Sequence, residues 1–267
     1  MKAFMEPENQ KISKLPKNYT IPKKCAVTDY KTSSGVLLLI GGCDLYVGAP
    51  YYVSKAAYAT GIDLCYVLCD GSALIPLKTL LPECIILSFD QFKFEKHEFL
   101  LRRITCCVLG SGLGRLDERA EAFVKGIVDK IRVPLIVDGD GLHLWDKVNF
   151  TYSGTVIFTP NRNESEKYLK KVDLKKDIVL KKGPVDTILH GSSEIVISNK
   201  SGLRRCGGIG DVLCGLLAYL TNVYDDKVLA CQYASLIVRK ASYKVFKKIG
   251  RSTMPKNIIS QVRAMKL

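Results

Sequence analysis

The stretch that decides the fold reads Ser201-Gly-Leu-Arg-Arg-Cys-Gly-Gly-Ile-Gly-Asp-Val-Leu-Cys-Gly-Leu-Leu-Ala-Tyr-Leu220. Three glycines stand just before Asp211, and apolar residues follow at helical spacing. Glycines let backbone N–H groups approach a ligand closely, and the first turn of a helix leaves N–H groups without partners. We therefore predict a helix that opens on an anion-binding loop. Within that loop, Asp211 either caps the helix or takes part in chemistry.

Outward from this stretch, short apolar runs alternate with longer amphipathic segments. Residues 35–40, 64–68, 105–109, 134–137 and 155–158 are typical of strands, whereas residues 117–131 and 227–249 are typical of helices. A polar, aromatic-rich segment separates the predicted strands 84–87 and 105–109. The alternation favours an α/β fold with right-handed crossovers and a central, mostly parallel sheet between helices. We predict a polar N-terminal arm over residues 1–30 and a single domain over residues 31–267.

Composition limits the classes of protein to which the chain can belong. The chain has 267 residues, of which 47% are hydrophobic, and it carries a net charge of +14. The basic residues are scattered without a nucleic-acid motif, so we expect no nucleic-acid partner and interpret most of the charge as solvated surface. No apolar run is long enough to span a bilayer, and no signal segment is evident. The ten cysteines form no paired framework, which favours a reducing, cytoplasmic compartment.

Polar residues follow the predicted strands one after another. They include Gly41-Gly-Cys-Asp44, Gly110-Ser-Gly-Leu-Gly-Arg115, Asp138-Gly-Asp-Gly-Leu142, Thr159-Pro-Asn161 and Lys181-Lys-Gly-Pro184. Ligands of open α/β sheets bind beyond the carboxyl ends of the strands. These loops, together with an aspartate behind glycine N–H groups, predict abstraction of a hydroxyl proton beside a bound phosphate. This is phosphoryl transfer without a P-loop, because no G-x-x-x-x-G-K-[ST] motif is present.

Each loop alone has a structural alternative. Residues 110–115 form either half of a dinucleotide fingerprint or a tight turn. Asp138 and Asp140 either cap the next helix or orient a metal-bound water, and Lys182 lies either on a phosphate or in solvent. The three histidines, His97, His143 and His190, are too far apart in sequence to predict a metal site, so we expect a surface or core role for each.

Taken in order, these motifs resemble the ribokinase-like superfamily and, within it, the ATP-dependent NAD(P)H-hydrate dehydratases. The resemblance rests on Gly41-Gly-Cys-Asp-Leu-Tyr-Val-Gly-Ala-Pro-Tyr51, Gly110-Ser-Gly-Leu-Gly-Arg115, Val137-Asp-Gly-Asp-Gly-Leu142 and Leu203-Arg-Arg-Cys-Gly-Gly-Ile-Gly-Asp211. It covers residues 31–254 and implies a ribokinase-like three-layer α/β/α fold. It also implies a hydro-lyase that uses ATP to restore NADH or NADPH from the hydrated S form, leaving ADP and phosphate. Arg-Arg-Cys before the glycines is similar to the eukaryotic, ATP-using form.

The resemblance further implies roles for individual residues. Asp211 would be the catalytic base, and the backbone N–H groups of Gly208 and Gly210 would assist it at the transferring phosphoryl group. The hydrated dinucleotide would contact Gly112, Asn161, Arg162, Asn163, Glu164, Ser165, Glu166, Lys167 and Asp211. ATP would contact Lys182, Gly183, Pro184, Val185, Asp186, Arg205, Cys206, Gly207, Gly208, Ile209 and Gly210. Mg²⁺ is implied by the phosphate chemistry, although the sequence shows no dedicated set of metal ligands.

The family usually works beside an NAD(P)H-hydrate epimerase, which here would be a separate protein. The sequence leaves open whether the chain forms a homo-oligomer. Two further hypotheses stay open on the residues alone. One is a ribokinase-like kinase that phosphorylates an alcohol such as a vitamin precursor, and the other is a basic nucleotide- or nucleic-acid-binding module.

Overall fold

The computed structural model describes residues 10–12 and 32–265, which contain ten strands. The strands are β1 (Gln10–Ile12), β2 (Val36–Ile40), β3 (Leu64–Cys69), β4 (Ile85–Ser88), β5 (Cys106–Leu109), β6 (Leu135–Val137), β7 (Val156–Phe158), β8 (Ile178–Lys181), β9 (Asp186–His190) and β10 (Ser193–Ile197). They form one sheet in the order β1-β10-β9-β8-β7-β6-β5-β2-β3-β4. β9 runs antiparallel to both of its neighbours, and every other pairing is parallel.

Helices follow most of the strands. They are α1 (Gly48–Thr60), α2 (Leu74–Leu80), α3 (Phe94–Leu101), α4 (Glu118–Val128), α5 (Asp140–Lys147), α6 (Arg162–Tyr168), α7 (Ile209–Val223), α8 (Lys227–Ile249) and α9 (Pro255–Arg263). Short 3₁₀ turns occupy Gly71–Ala73 and Gly250–Ser252. Across the described parts of the chain, no helix is both long and apolar enough to cross a membrane.

The sheet separates two hydrophobic cores because successive side chains of a strand point to opposite faces. In β2, Leu37 and Leu39 pack on the face covered by α1, α2, α7, α8 and α9, whereas Val36, Leu38 and Ile40 pack on the opposite face. That second face is covered mainly by α3, α4 and α5. All five β2 side chains are buried, as the continuous apolar run predicts. The predicted three-layer α/β/α architecture is thus confirmed.

Most predicted elements agree with the structure, and two regions differ. The polar, aromatic-rich segment contains the unpredicted helix α3, which lies beside an aromatic cluster of Phe92, Phe94 and Phe123. Most of the predicted arm lies outside the described residues. Gln10–Ile12, which belongs to it, pairs with β10 as a parallel edge strand.

Candidate active site

The loops after β2, β5, β6 and β7 meet at one edge of the sheet, where they border a cavity of about 360 Å³. Gly42 N–H donates to Gly112 O at 3.0 Å and so ties the loop after β2 to the loop after β5. Gly110 has a φ of +109°, and a Cβ atom there would lie 2.2 Å from Asp138 O. The loops after β5 and β6 can therefore approach this closely only if residue 110 is glycine. Residues 110–115 accordingly form a tight turn against α5.

Asp211 lies at the third position of α7 and lines this cavity. The N-cap of α7 is Gly208, with a φ of +93°, and no side chain caps the helix. Asp211 is therefore not the N-cap residue of α7 but lies in its first turn. Burial, together with the nearby Asp138 carboxylate, raises the pKa of the Asp211 carboxyl from 3.8 to about 7, although Lys182 acts in the opposite direction. The carboxyl is thus poised to exchange a proton near neutral pH.

Asp138 and Lys182 form an ion pair beneath the start of α7. Lys182 Nζ donates to Asp138 Oδ1 at 2.5 Å, and Thr159 Oγ1 donates to the same oxygen at 2.8 Å. Burial alone would raise the pKa of Asp138, but the Lys182 ammonium outweighs it and holds that pKa below its usual value. Reciprocally, Asp138 raises the pKa of Lys182 despite burial. Lys182 is therefore a fixed positive charge, and a Cβ atom added at Gly210 would lie 3.1 Å from its Nζ.

Neither aspartate after β6 caps α5, so that alternative does not hold. Asp138 is engaged by Lys182, and the N-cap position of α5 is Gly139, without a side-chain cap. Asp140 lies in the first turn of α5 and accepts a hydrogen bond from Gly114 N at 2.9 Å. Arg115 approaches the same carboxylate at 3.4 Å. Asp140 therefore fastens the loop after β5 to α5.

The 161–167 segment, predicted to contact substrate, lies partly on the cavity. Asn161 and Glu164 form a capping box at the start of α6: Asn161 Oδ1 accepts from Glu164 N at 3.0 Å, and Glu164 Oε2 accepts from Asn161 N at 2.8 Å. These two residues fix the direction of the helix. The predicted substrate residues that line the cavity are Gly112, Asn161, Asn163, Glu164, Lys167 and Asp211.

The other three residues of this segment do not line the cavity. Arg162 is exposed and pairs with Glu166 at 3.6 Å, one helical turn away. Ser165 Oγ donates to Arg162 O at 2.7 Å. Arg162, Ser165 and Glu166 therefore stabilise α6 from its outer side.

The residues predicted to contact ATP do not line the cavity but form two stretches, the 182–186 segment and the glycine loop (residues 205–210), which approach each other at Lys182 and Gly210. Gly207 faces open space, with no heavy atom within 4 Å of an added Cβ, and Cys206 Sγ donates to Thr253 O at 3.8 Å. Val185 is exposed. Asp186 is buried, and its carboxylate is engaged by Arg239, Ser235 and Gly183 N. The structure thus brings the two stretches together, but it turns the Asp186 side chain inward.

Several residues of the cavity were not predicted as site residues. Tyr46, Ser111, Arg115 and His143 line it, although the sequence had suggested only a surface or core role for His143. Ser111 Oγ is buried and makes no hydrogen bond of standard geometry within the described residues, yet it lies close enough to Asp211 to lower the pKa of that carboxyl. Tyr46, Ser111 and Arg115 belong to the loops that the strand-end rule singles out, so that rule could have found them. His143 lies one turn into α5, where only the fold reveals its position.

Comparison with solved structures defines the class of protein. The fold matches a ribokinase-like superfamily protein from Enterococcus faecalis with a TM-score of 0.78 and 21% identity, covering 91% of this chain and 90% of that one. It also matches the ADP/ATP-dependent NAD(P)H-hydrate dehydratase of Bacillus subtilis, co-crystallised with ATP/Mg²⁺, with a TM-score of 0.71, 18% identity and coverage of 91% and 94%. The chain therefore has a ribokinase-like α/β fold.

The sequence comparisons then specify the family. The family model of the NAD(P)H-hydrate dehydratases matches residues 37–264, and the chain belongs to this family. It is 30% identical over 283 residues to the ATP-dependent (S)-NAD(P)H-hydrate dehydratase of Schizosaccharomyces pombe, covering 88% of this chain and 86% of that protein. It is 31% identical over 274 residues to the human protein of the same name, with coverage of 89% and 79%. The family resemblance inferred from the ordered motifs is confirmed.

Proposed function

We propose that this protein catalyses the ATP-dependent dehydration of the S form of hydrated NADH and NADPH, which gives NADH or NADPH, ADP and phosphate. Its relatives carry the name of this hydro-lyase activity. The proposal rests on the position and acidity of Asp211. Its carboxyl lies between a glycine loop and an open cavity and has a pKa of about 7. A general base of this pKa is half ionised at neutral pH and can accept a proton there.

In the proposed reaction, the hydrated nicotinamide ring lies in the cavity with its hydroxyl near Asp211. Asp211 takes the hydroxyl proton while the hydroxyl oxygen bonds to the γ-phosphorus of ATP, and ADP leaves. Phosphate then departs from the ring carbon with assistance from the lone pair of the ring nitrogen. Loss of a proton from the adjacent ring carbon restores the double bond of the dihydronicotinamide.

The residues around Asp211 support the charge that moves in this step. The backbone N–H groups of Gly207, Gly208 and Gly210 would hold the transferring phosphoryl group, because they begin α7 without helical partners. Lys182, fixed by Asp138 at 2.5 Å, would supply positive charge at the same place. Gly112 and the cavity-facing part of the 161–167 segment would bind the dinucleotide. Arg162, Ser165 and Glu166 would act only by stabilising α6.

The side chains around the site suit a Mg²⁺ ion that is bound mainly by the phosphates of the nucleotide. Among the described residues, no group of three or more His, Cys, Asp or Glu side chains could hold a metal ion. Mg²⁺ commonly binds through substrate phosphates, water and one or two carboxylates instead of an all-protein cage. We therefore propose Mg²⁺–ATP as the co-substrate, in which the ion would neutralise phosphate charge.

We also propose that residues 31–267 act as one domain with a flanking arm over residues 1–30, in a reducing cytoplasmic compartment. All cysteines within the described residues are free thiols, which suits such a compartment. Selectivity for the S form would require a separate epimerase to convert the R form. We propose no nucleic-acid or membrane partner.

The activity is tested by mixing the purified protein with hydrated NADH, ATP and Mg²⁺ and following the absorbance of dihydronicotinamide. We expect recovery of NADH with one phosphate released per turnover, and no recovery without a nucleotide. Parallel reactions with ADP, and with separated R and S forms, define the co-substrate and the stereochemistry. No recovery with either nucleotide, or accumulation of a stable phosphoester, would refute the dehydratase and favour a kinase.

A further inference from the structure

One face of α8 contacts the 182–186 segment and the chain just before the glycine loop. Ser235, Arg239, Ser242 and Phe246 follow each other at intervals of four, three and four residues, which places them in one stripe along the helix. Ser235 and Arg239 contact the 182–186 segment. Ser242 and Phe246 pack against Gly202, just before the glycine loop. This stripe does not border the cavity, and the proposed reaction assigns it no role.

Arg239 joins the 182–186 segment to Asn199, which lies six residues before the glycine loop. Its Nε donates to Asn199 O at 2.7 Å, and its Nη2 donates to Pro184 O at 2.5 Å. Its Nη1 lies 3.5 Å from Gly183 O. The residue is only 6% exposed. The guanidinium fork thus satisfies backbone carbonyls of two separate chain segments at once, because its several N–H donors lie in one rigid plane.

Asp186 completes this arrangement from the opposite side. Its Oδ2 lies 3.3 Å from Arg239 Nη1 and accepts a hydrogen bond from Ser235 Oγ at 2.6 Å. Its Oδ1 accepts a hydrogen bond from Gly183 N at 3.0 Å. Both oxygens are therefore used inside the protein. A buried charge pair of this kind fixes one conformation when every donor and acceptor is matched.

The chain that leads from Asn199 into the glycine loop is held to α8 at one point. A Cβ atom at Gly202 would lie 2.7 Å from Ser242 Oγ and 2.9 Å from Ser242 O, so the backbone rests directly on α8 there. α8 therefore contacts both the 182–186 segment and the chain just before the glycine loop.

We infer that Arg239, paired with Asp186, is a positioning residue that fixes the 182–186 segment relative to α8 and to the chain that leads into the glycine loop, and hence sets the affinity for ATP. The inference rests on the proposed function, because it takes those stretches as the ATP site. Arg239 itself touches neither substrate. Its loss should weaken ATP binding while it leaves the cavity for the hydrated dinucleotide intact.

The test substitutes Arg239→Lys, which keeps the charge and removes the fork. We expect KM for ATP to rise about tenfold, with kcat changed less than about threefold and KM for hydrated NADH changed less than about twofold. The ATP-induced rise in Tm should shrink in parallel. The matched control is Lys240→Ala, because Lys240 is the exposed neighbour on the same helix and should leave all four quantities unchanged.

If Arg239→Lys folds poorly, the double variant Arg239→Met with Asp186→Asn removes both buried charges together and keeps the test open. Equal losses for ATP and hydrated NADH, or an unchanged ATP response, would overturn the inference. The proposed function fails separately if the unmodified protein does not turn over hydrated NADH. In that case the ATP-induced rise in Tm still reports on Arg239. If ATP has no effect on the unmodified protein, both proposals are overturned.

Discussion

The cavity and the ATP stretches meet at Asp211, but different parts of the chain build them. The cavity is lined mainly by side chains from the loops after parallel strands and from the helices that follow them, including Arg115, His143 and Lys167. The ATP stretches offer mainly backbone, and their best-placed acidic side chain, Asp186, points inward to Arg239. Substitutions of cavity side chains should therefore each weaken the binding of the hydrated dinucleotide by a small amount. ATP binding should depend instead on the position of the backbone, so that substitutions far from the nucleotide can weaken it.

The largest expected effect comes from Asp211, where the two sides join. We expect Asp211→Asn to lower kcat by about 10³-fold, because general-base catalysis contributes about 10²- to 10⁴-fold. The same change should stabilise the protein at pH 8. The folded-state pKa of about 7 lies above the ordinary 3.8, so ionisation costs stability as pH rises between these values. We expect a gain on the order of 2 kcal/mol in the free energy of unfolding, after allowing for partial exposure.

The pH dependence of the unmodified protein provides the control for this assignment. kcat/KM for hydrated NADH should rise with pH and level off above about pH 7, as Asp211 loses its proton. The rise should be absent from the residual activity of Asp211→Asn. Near-normal turnover of that variant, or a flat profile for the unmodified protein from pH 5 to pH 9, would contradict the role of Asp211 as base.

Sequence reasoning identified what depends on local pattern. Neighbouring residues suffice to predict the apolar strand β2, the helix α8, which Asp226 caps, and the loop that opens α7. Helix α3 was missed because its position is fixed by contacts with a distant partner, Phe123 of α4. Local propensity carries no information about such a contact.

The same limit applies to the site. The motifs indicated that Asp138, Lys182 and Asp186 belong to functional loops. They did not reveal that Lys182 pairs with a residue 44 positions away, nor that the loop at Pro184 is held by Arg239, 55 positions away. Such pairs arise only when crossovers bring strand ends and α8 together. For this reason the sequence could not decide whether Asp138 caps α5, and it could not show that the Asp186 side chain is engaged by Arg239.

An intermediate effect is expected from the backbone of the glycine loop. At Gly208, φ is +93°, and an added Cβ would lie 2.7 Å from Tyr52 Cδ2 and 2.8 Å from Pro255 Cγ. Gly208→Ala should therefore displace the start of α7, lowering kcat/KM about 10²-fold and reducing Tm. Activity assays and thermal unfolding measure both quantities.

The neighbouring residue Gly207 provides the matched control. Its φ is not in the left-handed region, and an added Cβ would meet no heavy atom within 4 Å. We expect Gly207→Ala to change the free energy of unfolding by less than about 0.5 kcal/mol and to retain more activity than Gly208→Ala. Equal destabilisation by both substitutions would show that backbone position at Gly208 is not the decisive feature.

The smallest effect is expected from substitutions on α6, which has one face on the cavity and one face outside it. Lys167 lines the cavity, where its ammonium can approach the diphosphate of the dinucleotide, whereas Arg162 pairs with Glu166 outside it. Lys167→Ala should raise KM for hydrated NADH about threefold, since an exposed charge contributes about 0.2–1 kcal/mol. Arg162→Ala should change it less than about twofold.

Neither variant should alter KM for ATP, the reverse of the pattern expected for Arg239→Lys. If Lys167→Ala instead weakened ATP binding, the division between a side-chain cavity and a backbone nucleotide site would be wrong.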